Sequence, residues 1–400
     1  MAITISDISN ILQKIIAPRI EEQLPTETIW YDMLSRNSGV TPMANNTFYI
    51  TLRTARHSGI TAVTEGAKLA SGKPSWSQAN VPAKYVFGTF DISDQAIESA
   101  KGDPGALANI LVEQSAALRT DFARELNRMF FFDGGGVLAK TAASASSSTT
   151  LTLVNWAGLA YNAANAAIMP TKWLAPGMNI RIGSVSATIA SVDSDSQVTL
   201  TAAKSWNAGD AVTKADGDGN ATDEPMGARG IVDDGSVVAT LQGISRSSYP
   251  WWKAYVDSAS AALAESDIVN AYLKAKEYGN PRFIFMNYLL FKKYGTLLTS
   301  YKKTVDTKEV LTGGWYGVDF AAGAGKVAVV LDYDCPDQEV YIIDPDSLTL
   351  AQLTPLTWLD RGDGILRKVD YATWQGVLRW YGNLAVKCVK ANAKMTNKTV

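Results

Sequence analysis

DPGALANILVEQSAALRTDFARELNRMFFFDGGG, residues 103–136, reads as one long helix with both ends marked. Asp103 is suited to accept hydrogen bonds from the first free backbone N–H groups, and Pro104 has no N–H to leave unpaired at the first helical position. The glycines at 134, 135 and 136 reach the left-handed conformation that closes a helix. Leu107, Leu111, Leu118, Phe122, Leu126 and Met129 recur at helical spacing and form one apolar stripe. Glu113, Asp121, Arg124, Glu125 and Arg128 lie mostly outside it, so one side is dry and the other charged. At ~1.5 Å per residue such a helix is roughly 40 Å long, more than most small domains need.

Upstream, TFYITLR (47–53) and AKYVFGTFDIS (83–93) alternate as strands do. About 30 residues rich in Gly, Ser, Ala and Pro separate them, including GAKLASGKPSW. A hairpin turns in about two to five residues, so this connection is either a disordered flap or an extended arm that folds against something else. Its charge is one-sided: Arg53, Arg56, Lys68, Lys73 and Lys84 stand against Glu65 alone. Before it, residues 6–23 carry Ile8, Leu12, Ile15 and Ile16 on a short apolar face interrupted by Pro18. That segment is either an arm burying its apolar side elsewhere or a terminal helix docked on its own domain.

Downstream, composition changes abruptly. TAASASSSTT (141–150) reads as a small-residue linker, and 151–225 as a strand-rich unit poor in basic residues. Strands are expected at 151–154, 179–192, 197–201 and 211–214, with turns at Pro176-Gly177, 193–196 and 208–210. A small β-barrel or sandwich inserted into a host domain accounts for this, with four cations against seven carboxylates. The remainder is mixed α/β. Strands are expected at 230–232, 237–241, 283–286, 326–331, 339–343, 348–353, 376–380 and 384–390, helices at 267–278 and 288–303, and a hairpin over 308–320. The closing LRWYGNLAVKCVKAN should return to a sheet begun far upstream.

Bulk properties exclude more than they identify. A chain of 400 residues implies two or three structural units. With 37 basic and 39 acidic residues it has no global basic field for nucleic acid or anionic membrane. Cys335 and Cys388 alone do not make a disulfide scaffold and suit a reducing cytoplasm. MAITISDISN lacks the features of a signal peptide, and no apolar run reaches the ~18 residues of a membrane span.

A search for catalytic chemistry finds no complete set of groups. GAGKV (323–327) resembles a phosphate loop, but Phe320 stands where its first glycine belongs and Val327 replaces the magnesium-binding Ser or Thr. Asp216, Asp218 and Asn220 imitate the start of a calcium loop, yet Ala221 and Gly227 replace its bending glycine and closing glutamate. His57 is the single histidine and has no nucleophile motif to serve. Asp332, Asp334 and Asp337 could pair, although that spacing in a turn equally suits a solvated loop. Catalytic, metal and cofactor sites are all expected to be absent.

The arrangement of ISDISNILQKIIAPRIEEQL, a long basic loop ending KYVFGTFDISDQAIESA, a long amphipathic helix, a mixed α/β region and a late returning strand resembles a known family. It is that of tailed-bacteriophage major capsid proteins, the Hong Kong-type capsid fold shared with encapsulins and the herpesvirus capsid floor. GGWYGVDF (313–320), VYIIDPDSL (340–348) and WYGNLAVKCVKAN add to the likeness. The resemblance implies an α+β major-capsid-protein fold: an N-terminal arm (1–46), an extended loop with flanking strands (47–100) and a spine helix of the peripheral domain (101–140). An inserted β-rich domain (141–225), more peripheral domain (226–266), an axial domain (267–360) and returning strands (361–400) follow.

It also implies a structural subunit that self-assembles into pentamers and hexamers of an icosahedral or prolate shell, enclosing double-stranded DNA without reading its sequence. Such a protein resides in the virion and assembles in the host cytoplasm. Its partners are copies of itself, with scaffolding, portal and decoration proteins as further candidates and no membrane. Because the chain begins directly at the arm, a separate scaffolding protein or none is implied. Some family members cross-link a loop lysine to a neighbour's asparagine; Lys68 and Lys73 lie in a suitable loop, but no matching asparagine and acid are identified. The subunit-interface candidates are Arg53, Arg56, Lys68, Leu69, Lys73, Trp76 and Lys84 of the loop and Ile8, Leu12 and Ile15 of the arm. Two other readings remain open. An encapsulin-type compartment would share the fold and hold protein cargo, whereas a secreted or periplasmic β-rich glycan-binding or glycan-cleaving protein would rest only on the 11 tryptophans.

Overall fold

The long apolar stripe folds as the helix Pro104–Phe131, starting at the expected first position and ending shortly before the glycines at 134–136. The computed structural model describes residues 28–37, 40–43, 46–95, 104–161, 168–220, 222–300, 308–310, 316–321, 326–359, 366–367 and 373–399. Asp103 and the arm residues Ile8, Leu12 and Ile15 lie outside them. Phe122, Leu126 and Met129 are buried as the stripe requires, and Gly134 and Gly136 take positive φ after the helix. The last turn departs from a two-sided helix: Asn127 and Arg128 are buried as well. Trp30, Phe285 and Trp380 close on Phe130 and Phe131 there, so the helix end is surrounded on every side.

Two sheets flank this helix. In the first, Lys84–Ser93 pairs antiparallel with Thr373–Val386, which also pairs with Leu348–Trp358 and Leu366–Arg367. Val40–Pro42 adds a parallel edge to Leu348–Trp358. The late strand therefore returns to one laid down some three hundred residues earlier, and it is a single strand instead of the two shorter ones expected. Gly88 permits the spine helix to lie on this sheet: a Cβ there would stand 2.9 Å from the Phe122 ring and 3.0 Å from Leu118.

The second sheet runs in the order Tyr255–Asp257, Ala393–Met395, Val340–Ile343, Phe283–Met286, Lys326–Leu331, Tyr316–Ala321, Lys308–Val310. Its central strands are apolar throughout because both faces are covered. Ile284, Met286, Val329 and Ile342 face a core built with the helices Glu265–Lys276 and Tyr288–Ser300, while Phe285, Val330, Tyr341 and Ile343 belong to the core of the spine helix. Residues 228–231 form a helix where a strand was expected. Gly227 packs so closely on the Phe130 and Phe132 backbone that a Cβ would lie 2.4 Å from the Phe132 carbonyl oxygen, and the chain turns tightly under the helix end.

The inserted unit is a closed barrel of Ala211–Lys214, Val137–Thr141, Ala145–Asn155, Gln197–Trp206, Val185–Ser194 and Asn179–Ile182. Leu138, Leu151, Leu153, Ile180, Ile189, Val198 and Leu200 fill it. The stretch 141–150 is consequently barrel and not linker. Its alanines and serines have little intrinsic strand preference, and barrel closure, with the Trp206 indole N–H donating to the Ala143 carbonyl at 3.0 Å, holds them extended.

The basic loop is a two-stranded hairpin, Thr47–Ala55 against Ser75–Pro82. The connection between the two expected strands is therefore partly ordered, since SWSQANVP forms a strand that its polar composition conceals. Leu52, Ala79 and Val81 are buried on its inner face.

Candidate assembly interface

Beyond its base the hairpin leaves the body. Residues 56–74 are exposed almost throughout, with Ile60 at 86 % and Leu69 at 75 % exposure. Pairing of Arg53 with Trp76 across the strands puts a cation and an indole side by side on the outward face, where Tyr49 is also exposed. Arg56, Lys68 and Lys73 lie exposed in the tip. Six of the seven loop candidates thus share one exposed element. Lys84 does not: at the hairpin base, its ammonium group lies 2.5 Å from Asp223, just beyond the barrel. The base is fixed further by Asn80 N–H donating to Gln242 O at 2.8 Å and by the Asn383 amide donating to Pro82 O at 2.9 Å.

Two buried polar networks behind the hairpin were not recognisable as sites from sequence. Arg128 lies between Glu125 at 2.6 Å and Glu224 at 2.5 Å, and Lys214 of the barrel reaches Glu125 at 2.8 Å. Burial pushes the Glu125 carboxyl up, and Arg128 and Lys214 more than reverse it, leaving the pKa at about 2. Asp233 sits among Arg246 at 3.2 Å, Lys394 at 3.3 Å and the backbone N–H groups of Gly235, Val237 and Val238. Burial opposes its charge, but Lys394 and those donors bring the pKa below the usual value.

The third cluster is the Asp332–Asp337 turn, which the sequence reading treated as suiting a solvated loop. Asp332 is buried there, and Asp334 and Asp337 are half-buried. Asp332 accepts from Trp30 N–H at 3.2 Å and from the Asn127 amide at 3.3 Å, while that amide also reaches Asp334 at 2.9 Å. Asp337 accepts from Asn155 of the barrel and Asn287. Burial, and then the Asp334 charge, push Asp332 up to about 7. The turn joins the spine helix, the Ile29–Asn37 helix, the barrel and the second sheet. Its contacts are structural. Among the described residues no group of three or more His, Cys, Asp and Glu is arranged to hold a metal ion. Asp216 accepts from Asp218 and Asn220 N–H in a local turn, His57 is exposed in the hairpin tip, and residues 323–325 of the glycine-rich GAGKV fall outside the described residues. No helix among the described residues is long and apolar enough to cross a membrane.

The model of the SU10 major capsid protein family matches residues 16–398. The chain belongs to this family. Solved capsids share its α+β Hong Kong-type fold. The capsid of cyanophage A-1(L) aligns over 98 % of each chain at 14 % identity and a TM-score of 0.57. The capsid of an empty GTA particle aligns over 97 % of this chain and 96 % of its own at 12 % identity and a TM-score of 0.53. At such identities the likeness is one of fold. No curated protein matches the sequence. Membership of the family makes this capsid protein a structural component of a phage-type shell and places it in the virion.

Proposed function

We propose that the chain is the repeating subunit of an icosahedral or prolate shell, arranged as pentamers and hexamers around double-stranded DNA that it does not read by sequence. It acts as a building block and not as an enzyme, and it assembles in the host cytoplasm. Scaffolding, portal and decoration proteins are its candidate partners besides itself. In this reading, residues 267–360 form the axial domain at the capsomer centre, the spine helix and first sheet form the peripheral domain, and residues 141–225 are the insertion. The observation that carries it is the hairpin, whose exposed Ile60, Leu69 and Trp76 and nearby cations have no counter-surface among the described residues. A neighbouring subunit supplies one. The family match favours a viral shell over a cargo-holding compartment. Electron micrographs of the purified protein should show shells or rings of five and six; a uniform ~43 kDa species under all conditions would exclude the proposal.

A further inference from the structure

Between the hairpin and the last turns of the chain lies an open groove of about 450 Å³. One wall is the hairpin strand at residues 50–54; the other is Trp251, Trp252, Tyr278 and residues 387–390. A second hollow continues it past Tyr278 to Lys253 and Lys274. Arg53, Lys253, Lys274, Lys387 and Lys390 therefore border one continuous depression, with Glu277 as the single carboxylate. Among the described residues none of these five cations is ion-paired, although Lys390 rests over the Tyr278 ring at 4.8 Å. The wall strand Thr47–Ala55 pairs on one side with Ser75–Pro82, and among the described residues no strand pairs with its other edge. An apolar floor, a rim of cations and an open strand edge together select an extended, acidic, apolar peptide.

This chain carries such a peptide. Residues 20–27, IEEQLPTE, hold Glu21, Glu22 and Glu27 with no cation, beside Ile20, Leu24 and Pro25. They lie directly before Thr28, where the described chain begins. With ~3.3 Å per extended residue, these eight residues reach at most about 26 Å from Thr28. We propose that segment 20–27 of a copy of this chain occupies the groove, its carboxylates meeting Arg53, Lys387 and Lys390 and its Ile20 and Leu24 covering Trp251 and Tyr278. The segment would clamp the hairpin base, so that the direction of the hairpin depends on the arm. This deepens the shell reading and rests on it for the supply of neighbouring copies.

Cys388 lies in the groove and is partly exposed, whereas Cys335, the other thiol, is buried. Full-length Gln23→Cys protein should therefore form a disulfide between positions 23 and 388 on mild oxidation, mapped by peptide mass spectrometry. Ser6→Cys should form it at least ten-fold less, and Cys388→Ser should abolish it. Lys387→Glu with Lys390→Glu in the Gln23→Cys background should lower the yield at least five-fold, and adding Glu21→Lys and Glu22→Lys should restore it. A 23–388 yield equal to that of the Ser6→Cys control, or one indifferent to charge reversal, overturns the proposal. Cys388 reactivity toward a maleimide in each variant that retains this thiol shows that the groove is intact. Micrographs of the same samples report shells separately, so loss of shells with an intact cross-link would count against the assembly reading and leave the groove standing.

Discussion

Arg128 Nη2 lies 2.5 Å from Glu224 Oε1, with each side chain about 1 % exposed. The pair links the spine helix to the irregular segment that follows the last barrel strand, and Glu125 and Lys214 complete it from the other side. Removing one partner leaves a buried, incompletely neutralised charge. Glu224→Ala should therefore cost ~3–5 kcal/mol, whereas Arg128→Met with Glu224→Leu should cost far less because both charges leave together. Urea unfolding of dissociated subunits measures both. A single-mutant loss below about 1 kcal/mol would show that the pair carries no such strain.

Asp332 gives the subunit an unusual pH response. Its folded-state pKa is about 7 against an ordinary value of 3.8, so the folded chain favours the protonated acid. The resulting stability is fully present below about pH 4 and is lost as pH rises toward about 7. Asp337 is shifted upward too, by burial first, and acts in the same direction. Glu125 has the opposite sign, but its contribution is complete above about pH 4.5 and is lost only toward about 2. Between pH 5 and 8 the parent should therefore lose stability relative to Asp332→Asn, by roughly 1–3 kcal/mol. Parallel pH-dependence curves for the two proteins would refute this.

The legible parts of the sequence were those where one local pattern decides. The stripe through Phe122, Leu126 and Met129, the apolar run 283–286 and the alternation of 84–93 each specify an element from neighbouring residues, and the order of these elements carried the family resemblance. Elements held by distant partners were missed. Ser75–Pro82 is a strand because Thr47–Ala55 pairs with it, and Ala145–Asn155 because the barrel closes. The burial of Asp332 could not be read from its turn, because its partners Trp30 and Asn127 come from 302 and 205 residues away. Charge bias picked out a stretch that folds as a hairpin with an exposed tip, while its contact with a neighbouring subunit belongs to the proposal. That bias also included Lys84, whose partner Asp223 lies 139 residues on.

The barrel should be separable from its host. Val137 and Thr213 are direct cross-strand partners, so chain entry and exit lie side by side, as an insertion requires. Its core is its own. Yet Phe132 packs edge-on against Trp156 and Trp173, and Asn155 donates to Asp337. Excised residues 137–214 should melt cooperatively by circular dichroism. The host with a short Gly-Ser linker in their place should fold with reduced stability, by ~2–4 kcal/mol from the uncovered Phe132 and Asp337. An unfolded fragment together with an insoluble host would make the barrel part of the main core.

The hairpin cations should matter to the shell and not to the subunit. Arg56, Lys68 and Lys73 are exposed in the tip, and among the described residues none has a carboxylate partner in its own chain. Replacing all three with serine therefore breaks no intramolecular pair and should leave unfolding of the dissociated subunit unchanged. In an assembly each exposed pair to a neighbour contributes only ~0–1 kcal/mol, so one substitution should be nearly silent. Repetition over many interfaces makes the triple change visible. Screening sets the salt dependence: with a Debye length of about 10 Å at 0.1 M falling to about 3 Å at 1 M, parent shells should loosen as salt rises. The triple variant should yield fewer shells at low salt and approach the parent at high salt. Light scattering across a salt and temperature series measures this, and identical dissociation curves for the two proteins would mean that apolar contact through Leu69 and Trp76 holds the hairpin without help from its charges.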